Sequence, residues 1–155
     1  MTVTRHTFYR LSVMRRGFSL TELAAALAIV VIVIAITLPS LSSLLDRLAV
    51  ERAATQVTTA LAVARNAAVM TATHARLILA ADSLRIDRWD GVAWATVRRW
   101  PGPEQGGVAA VVSNPVVEFG PLGIGWGAGN TRVVLTRGSQ SATITTSRLG
   151  RIKRW

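Results

Sequence analysis

The chain has 155 residues, half of them hydrophobic, with no cysteine and with 18 basic against 8 acidic residues. Absence of cysteine excludes a disulfide framework and a thiolate site, and the length leaves room for one anchor and one small domain. The charge is uneven: Arg5, Arg10, Arg15 and Arg16 precede Gly17 without an acid among them, and no acidic residue follows Glu118. A terminal region of one sign favours anionic partners such as nucleic acid, lipid head groups or an acidic protein surface.

Residues 1–17 are short, basic and without periodicity, as in a targeting leader; Met14 is an alternative start. From Phe18 to Leu38 the pattern is apolar on all sides. About twenty such residues suffice to cross a bilayer as a helix. The basic leader puts residues 1–17 in the cytoplasm and the C-terminal part outside. In water the run Ile29-Val30-Val31-Ile32-Val33-Ile34 would be an aggregation hazard. Glu22 lies one turn inside this segment, where an unpaired acid costs roughly 2.5–3.5 kcal/mol. A charge kept at that cost has a partner or a task. Pro39 lacks a backbone donor and is expected to kink or interrupt the helix as it leaves the membrane.

Residues 40–72 return to helical periodicity, now amphipathic. Leu41, Leu44, Leu45, Leu48, Val57, Leu61, Ala64 and Ala68 form an apolar stripe, and Asp46, Arg47, Glu51, Arg52, Gln56, Arg65 and Asn66 fill the opposite face. One helix of about fifty residues, roughly 75–80 Å long at 1.5 Å per residue, is therefore expected. Its second half needs a cover for its stripe.

Residues 73–155 supply that cover. Short β-branched and aromatic runs read as strands over Arg76–Ala80, Leu84–Trp89, Val92–Arg98, Val108–Val112, Val116–Phe119, Arg132–Thr136, Ala142–Ser147 and Arg151–Trp155. Asp90-Gly91 signals a hairpin through a type I′ turn; Arg137-Gly138 and Leu149-Gly150 are weaker signals of the same kind. Residues 101–107 and 121–130 read as loops. The fold class is α+β: a long N-terminal helix packed on a mainly antiparallel sheet.

Arg16-Gly17-Phe18-Ser19-Leu20-Thr21-Glu22-Leu23, the apolar helix and Pro39 at its exit resemble the class III signal of type IV prepilins and type II secretion pseudopilins. The later chain is similar to the GspH/FimT family of minor pseudopilins. The carrying segments are Arg65-Asn66-Ala67-Ala68-Val69, Phe119-Gly120-Pro121-Leu122-Gly123 and Ser147-Arg148-Leu149-Gly150-Arg151-Ile152. The resemblance implies a type IV pilin-like fold and a structural subunit. It implies that prepilin peptidase cuts between Gly17 and Phe18 and methylates the new Phe18 amine. It also implies assembly with other major and minor pseudopilins through the helix after residence in inner-membrane lipid, with Glu22 and Pro39 as assembly residues. Glycine before the bond lets a membrane-surface protease approach the backbone unhindered. In an apolar filament core Glu22 can pair with a neighbour's Phe18 amine and so fix register.

Gly150-Arg151-Ile152-Lys153 resembles the Gly-Arg-x-Arg tail of FimT-like proteins that bind DNA during natural transformation, with lysine in place of the last arginine. On that resemblance Arg148, Arg151, Lys153 and Arg154 would contact phosphates and Trp155 would stack on a base. Strand alternation puts Arg151, Lys153 and Trp155 on one face and Arg154 on the other.

Other signals point to no catalysis and no cofactor. The glycine-rich stretch 123–129 lacks the following helix and the Lys-Ser/Thr pair of a phosphate-binding loop; it reads as a surface loop with Trp126 half-buried at its tip. His6 and His74 have no acid at ligand spacing, and Asp82, Asp87 and Asp90 read as turn and strand-edge acids rather than calcium ligands. No nucleophile has a base beside it. The rival to a pilin is a membrane-anchored or secreted β-domain, unrelated to pili, with a conventional signal cut after the apolar run.

Overall fold

The computed structural model describes residues 17–127 and 130–155. The leader up to Arg16, with His6 and Met14, and Ala128-Gly129 of the glycine-rich stretch lie outside the described residues. One helix, α1, spans Leu20–Thr71 over 52 residues. It continues through Pro39, so the interruption expected there does not occur. Proline removes its own backbone donor, and the turns on either side carry the helix past the gap. The chain divides into two compact units at Leu38/Pro39.

In the first unit the helix surface is apolar and uncovered. Phe18, Leu20, Leu23, Leu27 and every residue from Ile29 to Ile34 are exposed. This part of α1 contains a window long and apolar enough to cross a membrane, none of it buried within the protein.

In the second unit, burial along α1 begins at Val50 and continues through Ala53, Ala54, Val57, Ala60, Leu61, Ala64 and Ala68. The spacing of three and four makes one stripe, and most of its members are alanine. Small side chains bring the strands close to the helix backbone, and the large residues of the core come from the strands: Leu77, Leu84, Ile86, Phe119, Leu135 and Ile144 are all fully buried. Leu41, Leu44, Leu45 and Leu48 depart from expectation. They are 44–53% exposed, so the domain covers only the second half of the stripe.

Nine strands follow: β1 Ala75–Leu79, β2 Ser83–Trp89, β3 Trp94–Pro101, β4 Ala109–Val112, β5 Val116–Phe119, β6 Gly125–Trp126, β7 Thr131–Arg137, β8 Gln140–Thr146 and β9 Ile152–Arg154. The eight expected strands are present with ends moved by at most three residues, and β6 is an addition inside the expected loop 121–130. They form two antiparallel sheets rather than one, in the orders β3-β2-β1-β5-β6 and β4-β7-β8-β9. A 3-10 turn over Pro103–Gly106 leads from the edge of the first sheet to β4 in the second. The core takes alternate residues from both sheets: Ala75, Leu77, Leu79, Val117 and Phe119 in the first, and Val133, Leu135, Ala142 and Ile144 in the second, join the helix stripe.

The turns differ in detail from expectation. Residues 90–93 join β2 to β3, with positive φ at Gly91 alone, so the turn is not type I′. Asp90 Oδ1 instead accepts the N–H of Ala93 at 2.8 Å and of Val92 at 2.9 Å, and these bonds hold its carboxyl below the usual carboxylate range. In the two-residue connection after Arg137, positive φ falls on Gly138.

The end of α1 carries a strained residue. Thr73 N–H donates to Ala68 O at 3.2 Å and Ala72 N–H to Val69 O at 3.3 Å, the paired bonds of a Schellman cap. That cap wants glycine at its left-handed position, and here Ala72 sits at φ +51°. We expect Ala72→Gly to stabilise the domain by about 1 kcal/mol, the cost of the left-handed conformation for an L-residue; urea denaturation followed by circular dichroism measures it.

Candidate functional site

Gly17, Phe18 and Ser19 precede the helix in open backbone, with Phe18 84% exposed. Among the described residues a Cβ added at Gly17 would meet nothing within 4 Å. Ser19 caps α1: its Oγ accepts the Glu22 N–H at 3.2 Å, and its carbonyl accepts Leu23 N–H at 3.1 Å. Ser19-Leu20-Thr21-Glu22 has the spacing of a capping box, a signal that the membrane argument for Glu22 passed over. Glu22 thus lies in the first turn, where the helix dipole favours a negative charge. Its carboxylate has no ion-pair partner among the described residues.

In the second unit the C-terminal tail is an edge strand. β9 pairs with β8, and Trp155 extends the ladder by exchanging two backbone hydrogen bonds with Thr143, at 2.9 and 3.3 Å. The expected alternation holds for Lys153 and Trp155: Lys153 Nζ lies 3.3 Å from the centre of the Trp155 ring on their shared face. Arg154 points the other way and forms an ion pair with Glu51 of α1. Arg148 and Arg151 are exposed beside the turn before β9. Arg132, one of the basic residues after Glu118, stands opposite Thr145, which in turn stands opposite Lys153; the three form one row across β7, β8 and β9 that the sequence did not reveal. No acidic residue occurs in any strand of this sheet. The acids that answer its arginines come from the helix: Asp46 accepts Arg137 Nε at 2.9 Å, and Glu51 holds Arg154.

Arg65 ties the segments quoted from the domain together. Its Nη1 donates to Gly150 O at 3.2 Å, and its side chain lies under both Gly123 and Gly150. Gly125 N–H donates to Arg148 O at 2.8 Å, which fixes β6 to the turn before β9. Gly123 and Gly150 have φ of +71° and +73°, and a Cβ on Gly150 would come within 2.3 Å of Gly123 O. Three stretches far apart in sequence are therefore one close-packed junction that anchors the base of the tail.

The acids weighed as ion ligands go separate ways. Asp87 is 2% exposed, with Oδ2 accepting Arg76 Nε and Nη2 at 3.1 and 3.0 Å and Oδ1 accepting Thr96 Oγ1 at 3.0 Å. Arg85 Nε completes the cluster at 3.1 Å. Asp82 accepts from Ser83, Asp90 holds its turn, and His74 Nδ1 donates to Glu118 Oε1 at 2.9 Å. Among the described residues no three of His, Asp or Glu converge on an ion site. Trp126, expected half-buried, is 61% exposed because two-residue β6 lies at the sheet edge.

Among solved structures, the chain is similar to two crystal structures of the type IV minor pilin FimU of Pseudomonas aeruginosa. In one crystal form the TM-score is 0.57 at 16% identity, over 68% of this chain and 91% of that one. In the other it is 0.58 at 16% identity, over 67% and 86%. The chain has a type IV pilin-like fold. No protein-family model and no curated protein matches it.

The junction makes a sharp contrast between glycines. Gly150→Ala combines the left-handed backbone penalty with a steric clash and should cost about 2–4 kcal/mol, whereas Gly91→Ala, with positive φ but open space around it, should cost about 1–2 kcal/mol. Chemical denaturation of the two variants side by side measures the difference; equal losses would remove the close approach from the account.

Proposed function

We propose that the chain is a minor pilin of the GspH/FimT kind, a structural subunit that acts by assembly. One observation carries the reading: a helix that starts just after Gly17-Phe18, bears a carboxylate in its first turn and is apolar and uncovered to Leu38 continues into the helix on which a pilin-like domain is built. Prepilin peptidase would cut before Phe18 and methylate its amine. The first half of α1 would then rest in the inner membrane, with the C-terminal domain on the far side, until assembly with other pilins. The exposed leucines Leu41, Leu44, Leu45 and Leu48 extend the uncovered surface beyond Pro39 and suit burial against neighbouring subunits. The likeness to FimU supports a pilus over a secretion pseudopilus.

Within this reading Glu22 has two tasks. In the lone subunit it lies in the first turn behind the Ser19 cap; in a filament it pairs with the Phe18 amine of a neighbour. Intact-mass analysis of the membrane-extracted chain should give a product beginning at N-methylated Phe18, and a mature chain beginning near Ser40 would end the pilin reading. Glu22→Ala should be cleaved normally but lose methylation or incorporation into filaments; normal incorporation would remove the pairing role.

A second reading, DNA uptake by the tail, draws support from the acid-free second sheet and from the row Arg132–Thr145–Lys153 beside Arg148 and Arg151. Arg154 contributes less, because Glu51 already answers it. Duplex DNA binding should weaken steeply with salt, with a log–log slope that falls by about 0.9 for each cation removed. Gel shifts at several salt concentrations with Arg151→Ala/Lys153→Ala should therefore lose nearly two units of slope; an unchanged slope would exclude the tail.

A further inference from the structure

The outer face of the first sheet, turned away from the core, carries an aromatic cluster that the assembly reading leaves unused. Trp89 and Trp94 stand opposite each other on β2 and β3, with ring centres 5.5 Å apart and planes at 63°. Arg76 of β1 lies over Trp94 at 4.3 Å, held by the buried Asp87. Glu118 of β5 stands opposite Arg76 on one side and Trp126 of β6 on the other. His74, at the entrance to β1, meets the edge of the Trp126 ring at 4.9 Å and 86°. These side chains wall an open pocket of about 320 Å³ lined by His74, Trp89, Trp94, Glu118 and Trp126.

The polar groups of the pocket define what fits it. His74 Nδ1 is 2.9 Å from a carboxylate oxygen of Glu118 and donates to it, which leaves Nε2 for a ligand. Glu118 keeps its second oxygen, also an acceptor. The floor thus offers a carboxylate acceptor with the imidazole Nε2 beside it, between indole walls, and asks for hydroxyl groups, which can donate to the one and either donate to or accept from the other. An anion meets the Glu118 charge. An apolar side chain from a protein would leave the Glu118 oxygen and the imidazole Nε2 unanswered. A cation gains no net field, since Arg76 and Arg85 balance Asp87 and Glu118, and Arg76 already occupies the Trp94 ring. A pyranose ring answers each of these: its C–H face packs on indole, one hydroxyl donates to Glu118, and its neighbour bonds to His74 Nε2 as donor or acceptor.

We propose that this pocket is a saccharide-binding site for an uncharged pyranose unit. The site belongs to the folded domain and does not depend on how the N-terminus is processed. Its key wall, Trp126, is mostly solvent-exposed, so its removal leaves the core intact.

The test uses the full chain in lipid nanodiscs, free of glycosidic detergent, titrated with cellotriose, maltotriose and tri-N-acetylchitotriose while tryptophan fluorescence is read. At least one trisaccharide should give a saturable change. Trp126→Ala should weaken that binding at least tenfold with an unchanged thermal melt, and Glu118→Gln should weaken it at least threefold. Three outcomes overturn the proposal: no saturable change with any trisaccharide, full affinity retained in Trp126→Ala, or a Trp126-dependent response to tetramethylammonium or oligothymidylate without one to sugars.

Discussion

The folded domain depends on closing two antiparallel sheets over one face of one helix. That is possible only where the helix is thin, and from Ala53 to Ala68 the stripe is mostly alanine. Leucine at those positions would hold the sheets off the helix; alanine lets Leu77, Ile86, Phe119, Leu135 and Ile144 fill the space from the other side. The same closeness explains the Arg65 junction. Where the loop before β6 and the turn before β9 meet α1, Gly123 and Gly150 leave room for an arginine side chain, which then bonds to one of them. Sheet packing and tail placement are thus consequences of one constraint on side-chain size.

What was legible in the sequence was local. Alternation in Leu77–Leu79, Leu84–Ile86 and Val133–Leu135 marks strands because period-two burial is written into the residues themselves. The uniform apolar run after Phe18 marks a helix free of the core for the same reason. The partition into two sheets was not legible, because strand order depends on which segments meet across the core, and nothing in β4 or β5 names a partner. The expected stripe on α1 ran from Leu41 to Ala68, yet coverage starts at Val50; periodicity reveals an apolar face but not what lies against it. The hairpin at Asp90-Gly91 was located correctly and typed wrongly, since the aspartate side chain took over hydrogen bonding that a type I′ turn leaves to the backbone.

The candidate sites divide the same way. Gly17, Phe18 and Glu22 stand out in sequence because a carboxylate in an apolar run is conspicuous on its own. The tail was visible as a run of basic residues, but its electrostatics were not. Only the fold reveals that Arg154 faces Glu51, that Arg137 faces Asp46, and that Arg132, twenty-one positions before Lys153, shares its row. The pocket of His74, Glu118 and three tryptophans was equally hidden, being assembled from β2, β3, β5, β6 and the residue before β1.

The two sheets are attached to the helix by different means. Among the described residues, the first adds to its apolar packing a neutral hydrogen bond, from Gln56 Nε2 to Pro101 O at 2.7 Å. The second adds the ion pairs Asp46–Arg137 and Glu51–Arg154. Such half-exposed pairs are individually weak and are screened by salt. The molecule therefore has a built-in asymmetry of fraying. As ionic strength rises, amide exchange should quicken first in β9 and at the Arg137 end of β7, while β1 and β2 keep their protection. A polyanion that drew Arg154 away from Glu51 would loosen the same edge, so ligand capture at the tail and its release from the helix would be a single event.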